Sequence, residues 1–270
     1  SDTPIQQGVN PEIFSAERMS VMKGYVFDEN GAALEGVRVA FPQETEFGWT
    51  LTRADGAYDI VVNGGKDFLM RFSKDGYMQS HRRFSVDWRE NSTNKPVRLK
   101  PLDEQVTMIN LGELNDAQVA AGSVTIDERG TRQSRVIVPT GTSAQLLHSD
   151  GSVETVESLS IRSTEYTVGE DGPTTMPGQL PATSGYTYAM ELSADEADAA
   201  GATSITFDPP VYHYVENFID VPVGEAVPAG YYDKEKGYWI ASDNGLVIEI
   251  LTVAGDTVTI DADGDGLAED

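Results

Sequence analysis

The sequence predicts an all-β protein made of two tandem β-sandwich domains. Three observations carry that prediction. Short apolar-alternating stretches recur about every ten residues from Val21 to Leu102, and further strand-like stretches continue to Asp261. Turn signals such as Asn30-Gly31, Asp55-Gly56, Asp75-Gly76 and Asp150-Gly151 separate them. Only SADEADAAG has the marks of a helix.

Residues 1–19 carry Pro4, Gly8 and Pro11 without a period and read as a linker. The first domain is predicted over residues 20–102. VMKGYVFD is a strand running into the Asn30-Gly31 turn. EGVRVAF puts Val37, Val39 and Phe41 on one face. FGWTLTRADGAYDIVVNGG reads as a hairpin, with Trp49 and Leu51 on one arm and Tyr58, Ile60 and Val62 on the other. FLMRFSKDGYM, HRRFSVDW and KPVRLKPL supply the remaining strands.

The second domain is predicted over residues 103–260. SVTIDERGTRQSRVIVPTGTSAQLL, HSDGSVETVESLSIRSTEYTV, SITFDPPVYHYV and GLVIEILTVAGDTVTID hold its strands. In SADEADAAG, Ser193 is expected as the N-cap, Glu196 as its capping-box partner and Gly201 as the terminator. Residues 164–188, TEYTVGEDGPTTMPGQLPATSGYTY, fit neither period and form a long inserted segment; residues 261–270 form an acidic tail.

Of the 270 residues, 39% are hydrophobic, enough to bury cores and to exclude a disordered chain. No apolar run reaches the roughly 18–20 residues that span a bilayer. The polar start SDTPIQQGVNPEIF reads as that of a mature or excised chain, not as a signal peptide. The net charge of -25 argues against nucleic acid and anionic membranes as partners, and is expected to keep the chain monomeric. With no cysteine, disulfides, thiolate nucleophiles and cysteine-zinc sites are excluded. Asn91-Ser92-Thr93 is a formal glycosylation sequon and reads as a surface loop.

Enzymatic chemistry finds no foothold. His81, His148 and His213 stand apart, and none belongs to an H-E-x-x-H or H-x-H pair. The G-x-S-x-G, P-loop and dinucleotide fingerprints are absent. The tail DADGDGLAED places Asp261, Asp263 and Asp265 at positions 1, 3 and 5 of a calcium loop, followed by a glycine turn. The Leu267 carbonyl and the Glu269 carboxylate are the expected further Ca2+ ligands. Two contact surfaces are candidates. In the long segment Pro173, Pro177 and Pro181 stiffen the chain around Met176 and Leu180, with Tyr166 and Tyr186 at its ends. In GYYDKEKGYW, the aromatics Tyr231, Tyr232, Tyr238 and Trp239 flank a charged turn. They read as cross-strand packing or as a sugar- or protein-binding patch.

Two family resemblances add to this reading. GYVFDENGAALEGVRVAF, TLTRADGAYDI and FSKDGY resemble the transthyretin-like (carboxypeptidase-regulatory-like) domain. They carry its D-x-x-G turn, its Leu-x-Gly-Val-x-Val strand and its Thr-x-x-Asp-Gly-x-Tyr hairpin over about residues 21–100. The stretch from Arg162 to Leu251 resembles the region upstream of the repeat shell in bacterial YD-repeat (RHS) proteins. The order of the two modules resembles teneurins, whose second module is a fibronectin-plug. The resemblance implies a non-enzymatic cap that closes a β-shell further along the same polypeptide, in a secreted or surface bacterial protein enclosing C-terminal cargo. Tyr166, Met176, Pro177, Leu180, Pro181, Tyr186, Tyr231, Tyr232 and Trp239 are then the plug contacts. No YD-type repeat occurs in this chain. The alternative is an extracellular adhesion or glycan-binding module stabilised by calcium.

Overall fold

A computed structural model describes residues 4–167, 172–180, 188–255 and 257–269. The chain is nearly all β, with one short α-helix among the described residues. It divides into two compact units, each drawn from three stretches. Unit 1 comprises Ser1–Glu104, Arg162–Ser193 and Asp233–Tyr238; unit 2 comprises Gln105–Ile161, Ala194–Tyr232 and Trp239–Asp270. The expected division at residues 102/103 lies beside the first of these boundaries. The long segment was expected within the second sandwich, yet by its contacts it belongs to unit 1.

In unit 1, β1 (Gln6–Gln7), β2 (Met19–Asp28), β3 (Arg38–Ala40), β4 (Trp49–Leu51), β5 (Ala57–Asn63), β6 (Lys66–Ser73), β7 (Ser80–Val86), β8 (Asn91–Thr93) and β9 (Val97–Leu99) form two sheets. One has the order β1-β4-β3-β6-β7 and is antiparallel throughout. The other centres on β2, which pairs antiparallel with β5 and parallel with β8 and β9. The alternation legible in the sequence places Val37, Val39 and Phe41, and Tyr58, Ile60 and Val62, in one buried core with Met22, Val26, Phe68 and Phe72. Burying each such aliphatic or aromatic side chain is worth roughly 1.5–3 kcal/mol, which drives the sheets together. Phe41, Phe47 and Phe68 pack ring against ring at 5.3–5.8 Å between centroids. The Tyr58 ring lies over Gly24, where an added Cβ would sit 2.6 Å from its hydroxyl oxygen. Gly56 holds φ +77 and presses against the Val26 carbonyl, as its turn position requires.

Residues 4–19 are not a free linker. Gln6 and Gln7 pair with Thr50 and Trp49. The Gln6 amide donates to the carbonyls of Phe47 (2.6 Å) and Val61 (3.0 Å), and its oxygen accepts from Val61 N (2.7 Å). Ile13 and Phe14 pack on the core. One side-chain amide thus ties chain from both sheets, and such a tie leaves no periodic trace in the sequence.

In unit 2, β10 (Thr107–Asn110), β11 (Gln118–Ala121), β12 (Thr125–Asp127), β13 (Gly130–Arg132), β14 (Arg135–Val138), β15 (Ser143–Leu147) and β16 (Val153–Val156) are followed by β17 (Ser158–Glu165), which leads into unit 1. β18 (Met190–Ala194) leads back to α1 (Asp195–Ala200), β19 (Ser204–Asp208) and β20 (Tyr212–Tyr214). Three three-stranded sheets, β10-β17-β18, β11-β14-β20 and β16-β15-β19, contribute to a core of Ile109, Val136, Val138, Leu146, Leu159 and Ile161. Ala194 and Ala197 at the start of α1 complete it.

The expected capping box does not form. Ala194, not Ser193, is the N-cap, and no side chain caps the helix. Glu196 instead accepts from the backbone N (2.7 Å) and hydroxyl (2.8 Å) of Ser160, which anchors α1 to β17. Gly201 ends the helix in the left-handed conformation, as expected. Beyond residue 214 the chain forms two-stranded pairs: β21 (Ala226–Val227) with β24 (Gly245–Leu246), β22 (Gly230–Asp233) with β23 (Tyr238–Ala241), and β25 (Glu249–Ala254) with β26 (Thr257–Asp261). Of these residues, Val247 and Asp261 are buried.

Candidate functional site

The long segment is docked, not exposed. Tyr166 is 1% and Met176 2% exposed; Pro177 is buried and Leu180 partly buried. Pro181 and Tyr186 lie outside the described residues. Residues 172–175 form a 3-10 turn, and the chain after it runs along β7, the edge strand of the five-stranded sheet. His81 N, directed outward from that edge, donates to the Pro177 carbonyl at 2.7 Å. The guanidinium of Arg82 donates to the carbonyls of Met176 (2.9 Å) and Thr174 (2.7 Å). The Ser80 hydroxyl donates to the Met176 carbonyl at 3.4 Å. An unpaired strand edge invites pairing with another chain, and here the segment covers it. The sequence leaves two covers open for Met176 and Leu180, a shell lumen or the sandwich that carries them. Met176 is buried within the stretch that groups with unit 1.

A second element meets the same unit. The turn Asp233–Tyr238 is organised by Asp233, whose Oδ1 accepts from Glu235 N (3.0 Å) and Lys236 N (2.8 Å). Its Lys236 carbonyl accepts from Gln43 (3.4 Å) and Arg83 (3.5 Å). Lys234 pairs with Glu191, which also accepts from the Tyr166 hydroxyl at 3.2 Å. Burial, reinforced by the Glu191 charge, pushes the Tyr166 phenol well above its ordinary pKa. Desolvation lowers the His81 pKa to about 4, helped by the charges of Arg71, Lys234 and Arg82. Tyr232 and Trp239 pack edge to face at 5.5 Å, while Tyr231 and Tyr238 are half exposed.

The acidic tail is an ordered loop. Carboxylate oxygens of Asp261, Asp263 and Asp265 lie within 4.8 Å of one another, a spread that suits three oxygens around one calcium ion. Asp261 accepts from Gly264 N (2.7 Å) and Gly266 N (2.8 Å). Desolvation works to raise its pKa, yet these and neighbouring backbone donors hold it below the usual carboxylate range. Glu269 does not join the cluster. Both its oxygens accept from Ala262 N at 2.9 Å, and Leu267 donates its N–H to Asp265.

Of the three histidines, His81 is buried, His148 is partly buried and His213 is exposed. His81 is 1% exposed. His213 Nε2 lies 3.0 Å from the hydroxyl of Ser134, itself buried at 5% exposure. His148 lies beside Glu154 at 3.7 Å. Three residues that matter were not singled out by the sequence. Arg82 holds the docked segment, Gly237 permits the close approach of the 233–238 turn, and Arg132 is a fully buried cation. Arg132 donates to both oxygens of Asp127 at 2.8 Å and stacks on Phe218 at 4.7 Å. The hydrogen bonds from Arg132 pull the Asp127 pKa down to about 2. Gly237 alone had a readable signal, a glycine closing an Asp-initiated turn.

Comparison with known proteins places the first unit among known domains. A likeness to the major pilin subunit BcpA of Bacillus cereus covers 91% of this chain and 83% of that one, at 12% identity and TM-score 0.27, and carries no argument. Teneurin-3 of Mus musculus is 33% identical over 86 residues, 32% of this chain and 3% of that protein. Teneurin-m of Drosophila melanogaster is 35% identical over 89 residues, 33% of this chain and 3% of that protein. The chain thus spans only a small fraction of the length of these relatives. Residues 14–99 match the family model of the teneurin TTR-like domain, and none of these names denotes a catalytic activity.

Proposed function

We propose that the chain is a non-catalytic structural module of a secreted or surface YD-repeat protein, in which unit 1 is a buttress and unit 2 caps a β-shell formed by the same polypeptide around C-terminal cargo. The observation that carries this is the match of residues 14–99 to the teneurin TTR-like domain, with a second β unit following it in this chain. The bacterial setting rests on the resemblance of residues 162–251 to RHS proteins. No helix among the described residues is long and apolar enough to cross a membrane.

Because Met176 is committed to unit 1, the capping contact is assigned to unit 2's later hairpins. Leu246, Ile250, Val253 and Val258 there are 48–68% exposed. A two-stranded hairpin is marginal in water by itself, and a shell wall would cover these side chains. Calcium on Asp261, Asp263 and Asp265 would stiffen the end of this hairpin. The test is co-expression with the shell segment, followed by size exclusion with light scattering. A one-to-one complex that weakens with Val253→Asp, and not with Met176→Ala, supports the cap. No association in the presence of calcium overturns it. A glycan array then decides the second reading, adhesion, which the half-exposed Tyr231 and Tyr238 favour.

A further inference from the structure

The way residues 174–177 are held has a chemical character of its own. Four hydrogen bonds from β7 to them end on main-chain carbonyls, those of Thr174, Met176 and Pro177. The donors are one strand-edge N–H (His81), one guanidinium fork (Arg82) and one hydroxyl (Ser80), at successive positions. The large side chain engaged is Met176, which is 2% exposed. An edge that bonds main chain and pockets one side chain is the pattern by which sheets recruit extended peptides. Methionine, unbranched and polarizable, suits a pocket that accepts and releases an occupant.

We infer that the outer edge of β7 is a peptide-docking groove for an uncharged, methionine-anchored segment, and that residues 172–180 of this chain, GPTTMPGQL, which enter through the 3-10 turn at 172–175, are its resident occupant. The inference is independent of the capping proposal: it concerns what β7 binds, whichever surface meets a shell. Arg82 sets the groove's orientation, because its fork spans carbonyls two residues apart. A lysine cannot reproduce that geometry. The occupant carries no charge between Gly172 and Leu180, so its affinity is insensitive to salt.

The experiment uses the full chain. Met176→Lys removes the anchor and frees the groove; circular dichroism confirms that the sheets remain. Hydrogen exchange should then show the His81 amide opening at least tenfold faster (an order-of-magnitude expectation for a released edge), while the β6 amides paired with β7 stay protected. A fluorescent synthetic peptide of residues 172–180 should bind this variant, restore His81 protection and leave the wild type unlabelled. Adding Arg82→Ala should abolish peptide binding. Loss of β6 and β7 protection together would show the segment to be part of one cooperative core and overturn the inference. So would failure of the peptide to bind. Should Met176→Lys not fold, Arg82→Ala alone applies the same exchange test to His81 and β6.

Discussion

Gly237→Ala should cost far more than its surface position in a charged turn implies. Gly237 holds φ +72, and an alanine Cβ there would lie 2.3 Å from Cδ2, 2.8 Å from Cδ1 and 3.1 Å from Cγ of Leu69. Leu69 is 2% exposed, so it has little room to yield. The left-handed backbone costs an L-residue about 1–2 kcal/mol. Forcing a methyl group into a packed surface adds about 1–3 kcal/mol. The control is Gly76→Ala in the same unit: its φ is +78 and an added Cβ meets nothing within 4 Å, so only the first cost applies. Urea unfolding is followed by tryptophan fluorescence with Trp239→Phe as background, leaving Trp49 and Trp88 of unit 1 as reporters. With a urea slope of roughly 2 kcal/mol/M, the midpoint of Gly237→Ala should fall about 1 M below that of Gly76→Ala. In a Leu69→Ala background the excess should vanish, since the obstacle is gone. Equal midpoints for the two alanine variants would refute the docking of this turn on unit 1. An excess that survives Leu69→Ala would refute Leu69 as its cause.

Three further predictions follow from buried charge and from the acidic loop. His81 titrates near 4 when folded and near 6.5 when unfolded, so only the unfolded chain takes up a proton as pH falls from 6.5 to 4. Unit 1 should therefore be most stable above pH 6.5 and lose roughly 3 kcal/mol by pH 4; urea midpoints at pH 7 and 5 should differ, and His81→Gln should flatten that difference. Asp127→Ala removes the carboxylate that neutralises the buried Arg132 guanidinium and should cost about 3–5 kcal/mol, whereas Arg132→Met leaves a partly exposed carboxylate that water can reach and should cost less. The reverse order in thermal melts would show that Arg132 is not held by Asp127. Calcium should bind with one-to-one stoichiometry in calorimetry at low salt and slow exchange of the Gly264 and Gly266 amides; Asp263→Asn should abolish the heat, and a wild type silent to calcium would dismiss the loop as a cation site.

What was legible in the sequence, and what was not, follows from the kind of bond involved. The unit 1 core was legible because a two-residue period, as in Tyr58, Ile60 and Val62, translates directly into one buried face. The turns were legible because Gly31 and Gly56 hold positive φ that other residues resist. The helix was legible, but its cap was not. Glu196 has capping-box spacing from Ser193, yet its carboxylate is taken by Ser160 at 36 residues' separation, which local spacing cannot reveal. Arg132 reads as a surface charge by default, and only the fold shows it buried.

The long segment is the sharpest case. Its prolines and its methionine mark it as stiff and in need of cover, and Met176 and Pro177 are buried. What covers it could not be read, because the groove recognises carbonyl oxygens, which every residue carries. On the partner side the side-chain donors are Ser80 and Arg82, either side of the His81 main-chain N–H, on a strand whose alternation otherwise looks ordinary. A strand edge with consecutive donors can therefore hold a distant insertion with almost no mark in the insertion itself. By the same physics, substituting the exposed Gln179 should disturb the docked segment less than Met176→Lys or Arg82→Ala. The groove reads main-chain carbonyls and one apolar anchor, so the segment's sequence is constrained mainly at the buried Met176 and Pro177.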